Sequence, residues 1–205
     1  MYIRINNARL SFARNLWTPS GATPTATKKY NAHFIVGDKA KVFRDTSAPG
    51  KPRVWTATTL AEVQTLLANA ASGSAAKGAA FLAGLEARQK SVREGDRQVD
   101  KNGDVRDGYA GSQYIHATTA QRPGLFNADM SPVEDQNASP FYSGCYVGVV
   151  FDLYANMNQG QRGIFATLAS VIFQADGERF GGGGVRVAAS DFDDIGVDNS
   201  AAGLV

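Results

Sequence analysis

At 205 residues, 43% hydrophobic and 20% charged, the chain is long and apolar enough to bury a core as one enlarged domain, and its composition excludes a wholly disordered polymer. A single cysteine, Cys145, and two histidines, His33 and His116, exclude a disulfide framework and a Cys/His zinc site, and suit a reducing cytoplasm. The net charge of +2 hides a gradient: residues 1–56 carry ten Lys/Arg against Asp38 and Asp45, residues 57–174 carry nine basic against eleven acidic groups, and residues 175–205 two against six.

In chain order, Tyr2 to Phe12 alternates as a strand with Ile3 and Ile5 on one face. Residues 13–27, with two prolines and a glycine, read as a long surface loop. Lys28–Val36 is a second strand, with Tyr30, Ala32, Phe34 and Val36 opposite Lys29, Asn31, His33 and Ile35. A basic coil containing Pro49 and Pro52 follows. Thr58–Ala70 has Leu60, Val63, Leu66 and Leu67 at helical spacing, and Glu62 stands three residues after Thr59 in the capping-box relation. The alanine-rich stretch 76–90, with Phe81, Leu82 and Leu85, predicts a second helix.

Residues 91–111 are polar, with DKNGD at 100–104 forming a turn between two short arms. Gln113–Thr119 alternates again, placing Tyr114, His116 and Thr118 opposite Ile115 and Ala117. After a loop at 127–140, Tyr142–Ala155 and Gly163–Phe173 carry the strongest strand signals and are joined as a hairpin. No stretch approaches the ~20 apolar residues of a membrane span, and MYIRINNARL lacks the apolar segment of a signal peptide. Neither export nor membrane insertion is expected.

The motifs that carry chemistry fail one by one. Asp100, Asn102 and Asp104 match the opening of an EF-hand loop, but Val105 and Gly111 stand where that loop needs glycine and glutamate. The run GGGG at 181–184 lacks the lysine and serine of a phosphate loop and reads as a flexible connection. Cys145 lies among alternating apolar residues and reads as a small buried hydrophobe. No catalytic constellation, metal site or cofactor site is expected, so the chain reads as non-enzymatic.

What remains is a pairing of rings with cations. Arg14 and Trp17 stand together in the first loop, Lys28, Lys29 and Tyr30 open the second strand, and Arg53 and Trp55 end the basic coil. Arg106, Tyr109, Tyr114 and His116 form a further run, with Arg122 beyond it. Unpaired bases stack on aromatic side chains while Lys and Arg track phosphates, so these residues are the candidate DNA-binding set. Tyr30, Phe34, Phe151 and Phe173 lie on strongly apolar faces and are expected in the core.

The succession RLSFARNLW at 9–17, KKYNAHFIV at 28–36, GYAGSQYIHATTAQRPGLFN at 108–127, YSGCYVGVVFDLYAN at 142–156 and GIFATLASVIFQADGERFGGG at 163–183 resembles a bacteriophage family of single-stranded DNA-binding proteins. That family was first catalogued as a domain of unknown function and is distantly similar to the T7-type phage single-stranded DNA-binding protein. The stretches at 142–147 and 176–182 are the most specific. The resemblance implies a mainly β chain: an OB-fold, a five-stranded Greek-key barrel, with a two-helix insertion and extra β-hairpins. It implies one DNA-binding domain over 1–190, with the insertion at about 57–90, and an acidic flexible tail over 191–205.

By the same resemblance the chain coats exposed strands during phage DNA replication, recombination and repair in the cytoplasm of the infected bacterial host. Its partners would be single-stranded DNA and, through Asp191, Asp193, Asp194 and Asp198, phage or host replication proteins. The terminal aromatic residue of T7-like tails is absent, since this chain ends GLV. The competing expectation is a phage structural or assembly protein with a β-rich interaction domain, which leaves the basic N-terminal portion unexplained.

Overall fold

Ile3 and Ile5 are fully buried, as their alternation requires, yet so are Ala8 and Leu10, which lie out of phase with them. A bulge between Ile5 and Ala8 resolves the conflict: strand β1 (Tyr2–Ser11) takes one extra residue there, with Asn7 at φ 57°. Asparagine tolerates that left-handed conformation, and the extra residue returns the strand to the same inward face. The computed structural model in which this is seen describes residues 1–21, 23 and 25–181.

The bulge is also where β1 changes partner. Its first half pairs with β3 (Lys41–Asp45) and its last residues with β2 (Tyr30–Val36), while β8 (Tyr146–Asn156) runs along the other edge. From β2 the sheet continues to β6 (Gln113–Thr119), then to β9 (Gly163–Ala175), then to β8 and back to β1. All these pairings are antiparallel except β6 with β9, which meet in parallel at Thr118 and Thr167. The circuit closes a five-stranded barrel in the OB-fold order, so no barrel strand exposes a long unpaired edge. Phe34 meets Phe151 edge-on at 5.1 Å inside it, among Ile115, Val149, Leu153, Ile164 and Leu168.

Between β2 and β6 the chain leaves the barrel. The expected basic coil is instead a hairpin of β3 and β4 (Trp55–Thr58), whose turn is fixed by Asp45: its carboxylate accepts from the Ser47 amide at 2.9 Å and the Ser47 hydroxyl at 2.7 Å. These strands hid because neither KVFRD nor WTAT carries a period-two apolar stripe. Helix α1 (Leu60–Ser72) starts where the capping box placed it, with the Glu62 amide donating to Thr59 Oγ1 at 3.2 Å and the Thr59 amide donating to Glu62 Oε2 at 3.0 Å. Leu60, Val63, Leu67 and Ala68 join the barrel core, and α1 packs on β8 and β9.

Helix α2 (Ala75–Ala83) is shorter than expected and is followed by a 3₁₀ turn at Ala87–Gln89. It packs against α1 so closely that a Cβ at Gly78 would lie 2.8 Å from the Asn69 amide nitrogen. Two short strands escaped the sequence pattern: β5 (Val92–Glu94), which pairs with β6, and β7 (Gly124–Phe126), which pairs with β9. The DKNGD turn forms as expected, with Val99 bridged to Val105 and the Asn102 and Asp104 amides donating to Asp100 Oδ1. The acidic stretch expected at 191–205, and the glycine run beyond Gly181, lie outside the described residues.

Candidate nucleic-acid interface

Oligonucleotide-binding OB-folds use the outer face of the second and third barrel strands together with the loops between strands one and two and between strands four and five. Here these are β2 and β6, residues 12–29 and residues 157–162. Beside that face lies a groove of about 430 Å³ lined by Lys29 at the start of β2, His116 and Thr118 on β6, Tyr154 on β8, Phe165 on β9, and Gly160 and Gln161 in the hairpin loop. Its remaining wall comes from the insertion, which contributes Arg88, Lys90, Ser91 and Arg93. Four cations line the groove and no carboxylate does.

The sheet explains how the insertion reaches this place. β2 takes one edge of β6 over its whole length, and β9 takes the other only at Thr118, so β5 fills the part that β9 leaves. The Ser91 amide donates to the Ile164 carbonyl at 2.8 Å, and the His116 amide donates to the Ser91 carbonyl at 2.8 Å. Segment 90–94 is thereby stapled to both strands. Arg93 is held in turn: its Nε donates to the Lys90 carbonyl at 2.8 Å and one terminal nitrogen to the Arg88 carbonyl at 3.4 Å, which fixes the guanidinium at the groove's edge. Opposite this cationic wall, Tyr154 and Phe165 are direct cross-strand partners with ring centroids 5.9 Å apart, and Tyr154 is 44% exposed.

His116 lies between the two walls as a neutral group. Burial, and then the nearby Arg93, lower its pKa to about 4, while burial, His116, Arg93 and Arg106 lower that of His33 to about 3. A second groove of about 450 Å³ shares Arg88, Lys90 and Arg93 and adds Arg97 and one carboxylate, Glu94.

The expected site residues divide among several places. Lys29 and His116 line the groove, and exposed Lys28 and half-buried Tyr30 adjoin it in sequence. Trp17 is partly buried, with the Arg122 guanidinium stacked over it at 4.2 Å, and Arg14 is exposed in the same 3₁₀ turn. Arg53 and Trp55 sit instead on the β3–β4 hairpin, where Arg53 covers Tyr2 at 3.8 Å and Trp55 lies under Arg4 at 4.9 Å. Arg106 lies in a separate cleft with Asp100, Asp104 and Asp107, whose charges oppose a polyanion.

Tyr109 and Tyr114 require correction as base-stacking groups. They are 1% and 3% exposed, packed with Ile35 and Phe180 in a small core between the barrel and segment 95–112. Tyr109 Oη lies 2.7 Å from His33 Nδ1, and the Tyr114 hydroxyl donates to Gln98 at 3.0 Å. Neither offers a ring face to a base. Arg88, Lys90, Arg93, Tyr154 and Phe165 line the groove without belonging to the expected set. The only signal for the cations was the spacing in RQKSVR at 88–93, lost in a region of net negative charge. Cys145 is buried as expected, and burial pushes its thiol up to about 11. Among the described residues no helix is long and apolar enough to cross a membrane, and no His/Cys/Asp/Glu group is arranged to hold a metal.

The profile of the family described as Enterobacter phage Enc34, ssDNA-binding protein, matches residues 52–202. Protein p50 of Acyrthosiphon pisum secondary endosymbiont phage 1 is 29% identical over 199 residues, spanning 95% of this chain and 94% of that protein. The solved structure of the single-stranded DNA-binding protein from bacteriophage Enc34 in complex with ssDNA superposes with a TM-score of 0.60 at 21% identity, over 88% of this chain and 89% of that one, and so shares its fold. A weaker likeness, with a TM-score of 0.46 at 11% identity over 91% and 97% of the two chains, is to gp2.5, a single-stranded DNA-binding protein encoded by bacteriophage T7.

Proposed function

The chain belongs to the family described as Enterobacter phage Enc34, ssDNA-binding protein, and from that premise we propose that it binds single-stranded DNA in the groove between segment 88–93 and the β8–β9 hairpin. The carrying observation is the groove's division into a wall of cations and a wall of paired rings, with no carboxylate between them. Phosphates are drawn to the first and unpaired bases stack on the second, an arrangement that tolerates any base sequence. A duplex keeps its bases stacked inside and has no use for the rings.

In this reading the protein coats exposed strands during phage DNA replication, recombination and repair in the cytoplasm of the infected host, and performs no catalysis. Lys28, Tyr30, Arg14, Trp17 and Arg122 extend the contact along the β1–β2 connection, while Arg53 and Trp55 belong to another face. Asp191, Asp193, Asp194 and Asp198 meet replication proteins. The alternative of a structural or assembly protein draws no support from the family match.

Titration of a labelled oligo-dT strand, followed by anisotropy, tests the proposal against a duplex of equal length. Sequence-tolerant binding of the single strand that weakens with salt is expected. Failure to bind at low salt would end it.

A further inference from the structure

Among the described residues two buried side-chain polar atoms have no hydrogen-bond partner, Arg4 Nε and Ser91 Oγ. Native proteins seldom leave a buried hydroxyl without a partner, because desolvation is then uncompensated. Ser91 is 4% exposed and lies on the lining of the groove, with Lys90 and Arg93 on either side in sequence and Lys29 on the same lining. Its backbone is pinned on both sides, to Ile164 and to His116. The main chain is thus fixed, and the hydroxyl it carries stands without a hydrogen-bond partner at the lining of a groove that Lys29, Arg88, Lys90 and Arg93 share.

We propose that Ser91 marks an anion subsite that takes one phosphodiester of the bound strand, with Lys90, Arg93 and Lys29 around it, while the adjoining base lies against Tyr154 and Phe165. The inference rests on the groove being the single-stranded DNA interface, and goes beyond it by fixing which wall holds the backbone. A hydroxyl donating to a charged phosphate oxygen is a charge-assisted bond, stronger than a neutral one and directional. The strand then lies in one orientation across the groove, backbone toward β5 and base toward the β8–β9 hairpin.

Ser91→Ala separates this role from a structural one. Removing an orphan hydroxyl leaves the thermal melting of the free protein unchanged or raises it, while affinity for labelled oligo-dT falls about tenfold at an unaltered salt slope. Arg93→Gln, a second variant, weakens binding and makes the salt slope shallower by about 0.7. Wild-type protein that binds no oligonucleotide would remove the reading of the groove itself. Wild-type binding with full affinity retained in Ser91→Ala, or with a slope unchanged in Arg93→Gln, would overturn the subsite alone. A melting temperature lowered in Ser91→Ala would show that the hydroxyl serves the fold and would likewise overturn it.

Discussion

Lys90→Ala tests the cationic wall quantitatively. Of the groove's four cations, Arg88 is engaged with Glu86 at 2.8 Å, whereas Lys29, Lys90 and Arg93 make no ion pair among the described residues. Each phosphate neutralised on a single strand contributes about −0.7 to the slope of log affinity against log salt, so three give a slope of about −2 or steeper. Affinity then falls about twenty-fold between about 50 and about 200 mM salt. Removing Lys90 leaves about −1.4, and the same change of salt costs only about seven-fold. Anisotropy titrations of labelled oligo-dT at four salt concentrations measure both slopes. Arg53→Ala, on the β3–β4 hairpin, is the control and leaves the slope as it was. If Lys90→Ala and Lys29→Ala keep the full slope while Arg53→Ala reduces it, the interface lies on the hairpin face and the reasoning fails.

Phe165→Ala and Tyr154→Ala each weaken binding by ~1–3 kcal/mol with no change of salt slope, as loss of a stacked base requires; equal weakening of duplex binding would contradict this. Tyr109→Ala, by contrast, acts on stability, lowering the urea midpoint by the equivalent of ~3 kcal/mol or more, since its ring is buried. The histidine pair sets a pH dependence. Folded His116 and His33 titrate at about 4 and about 3, below the unfolded value of 6.5, so the unfolded chain takes up protons first and stability falls as pH drops below about 6.5. Urea midpoints between about pH 6.5 and 5, above the carboxylate range, show that fall, and His33→Gln flattens it. An identical pH profile in the variant would refute the assignment.

The barrel was legible where local pattern and tertiary role coincide. In β8 the inward residues Val147, Val149, Phe151 and Leu153 alternate strictly, as do Ile164, Ala166 and Leu168 in β9 before a bulge brings Val171 inward, and in α1 the Thr59–Glu62 box sits where the leucine spacing begins. The β3–β4 hairpin was not, because its ring residues pack under guanidinium groups, as Phe43 and Trp55 do under Arg4, and so carry no apolar stripe. Period-two alternation correctly put Tyr114 and His116 on one face, but said nothing of what covers that face. Segment 95–112 does so, burying Tyr114 with Tyr109. The cationic wall was missed for the opposite reason: Arg88, Lys90 and Arg93 are separated from Lys29 in sequence by the whole hairpin and both helices, and only the pairing of β5 with β6 joins them.

That pairing makes the groove a clamp whose jaws come from different parts of the chain. The aromatic jaw is part of the barrel, so Tyr154 and Phe165 cannot change place without disturbing strands that enclose the core. The cationic jaw is an excursion laid against the barrel, and none of Arg88, Lys90 or Arg93 belongs to the core. Grip on the backbone and integrity of the fold therefore sit on different side chains, even where Val92, between Lys90 and Arg93, fills the core. Charge in segment 88–93 can rise or fall, and the hold on a strand with it, while every residue that fills the barrel stays as it is.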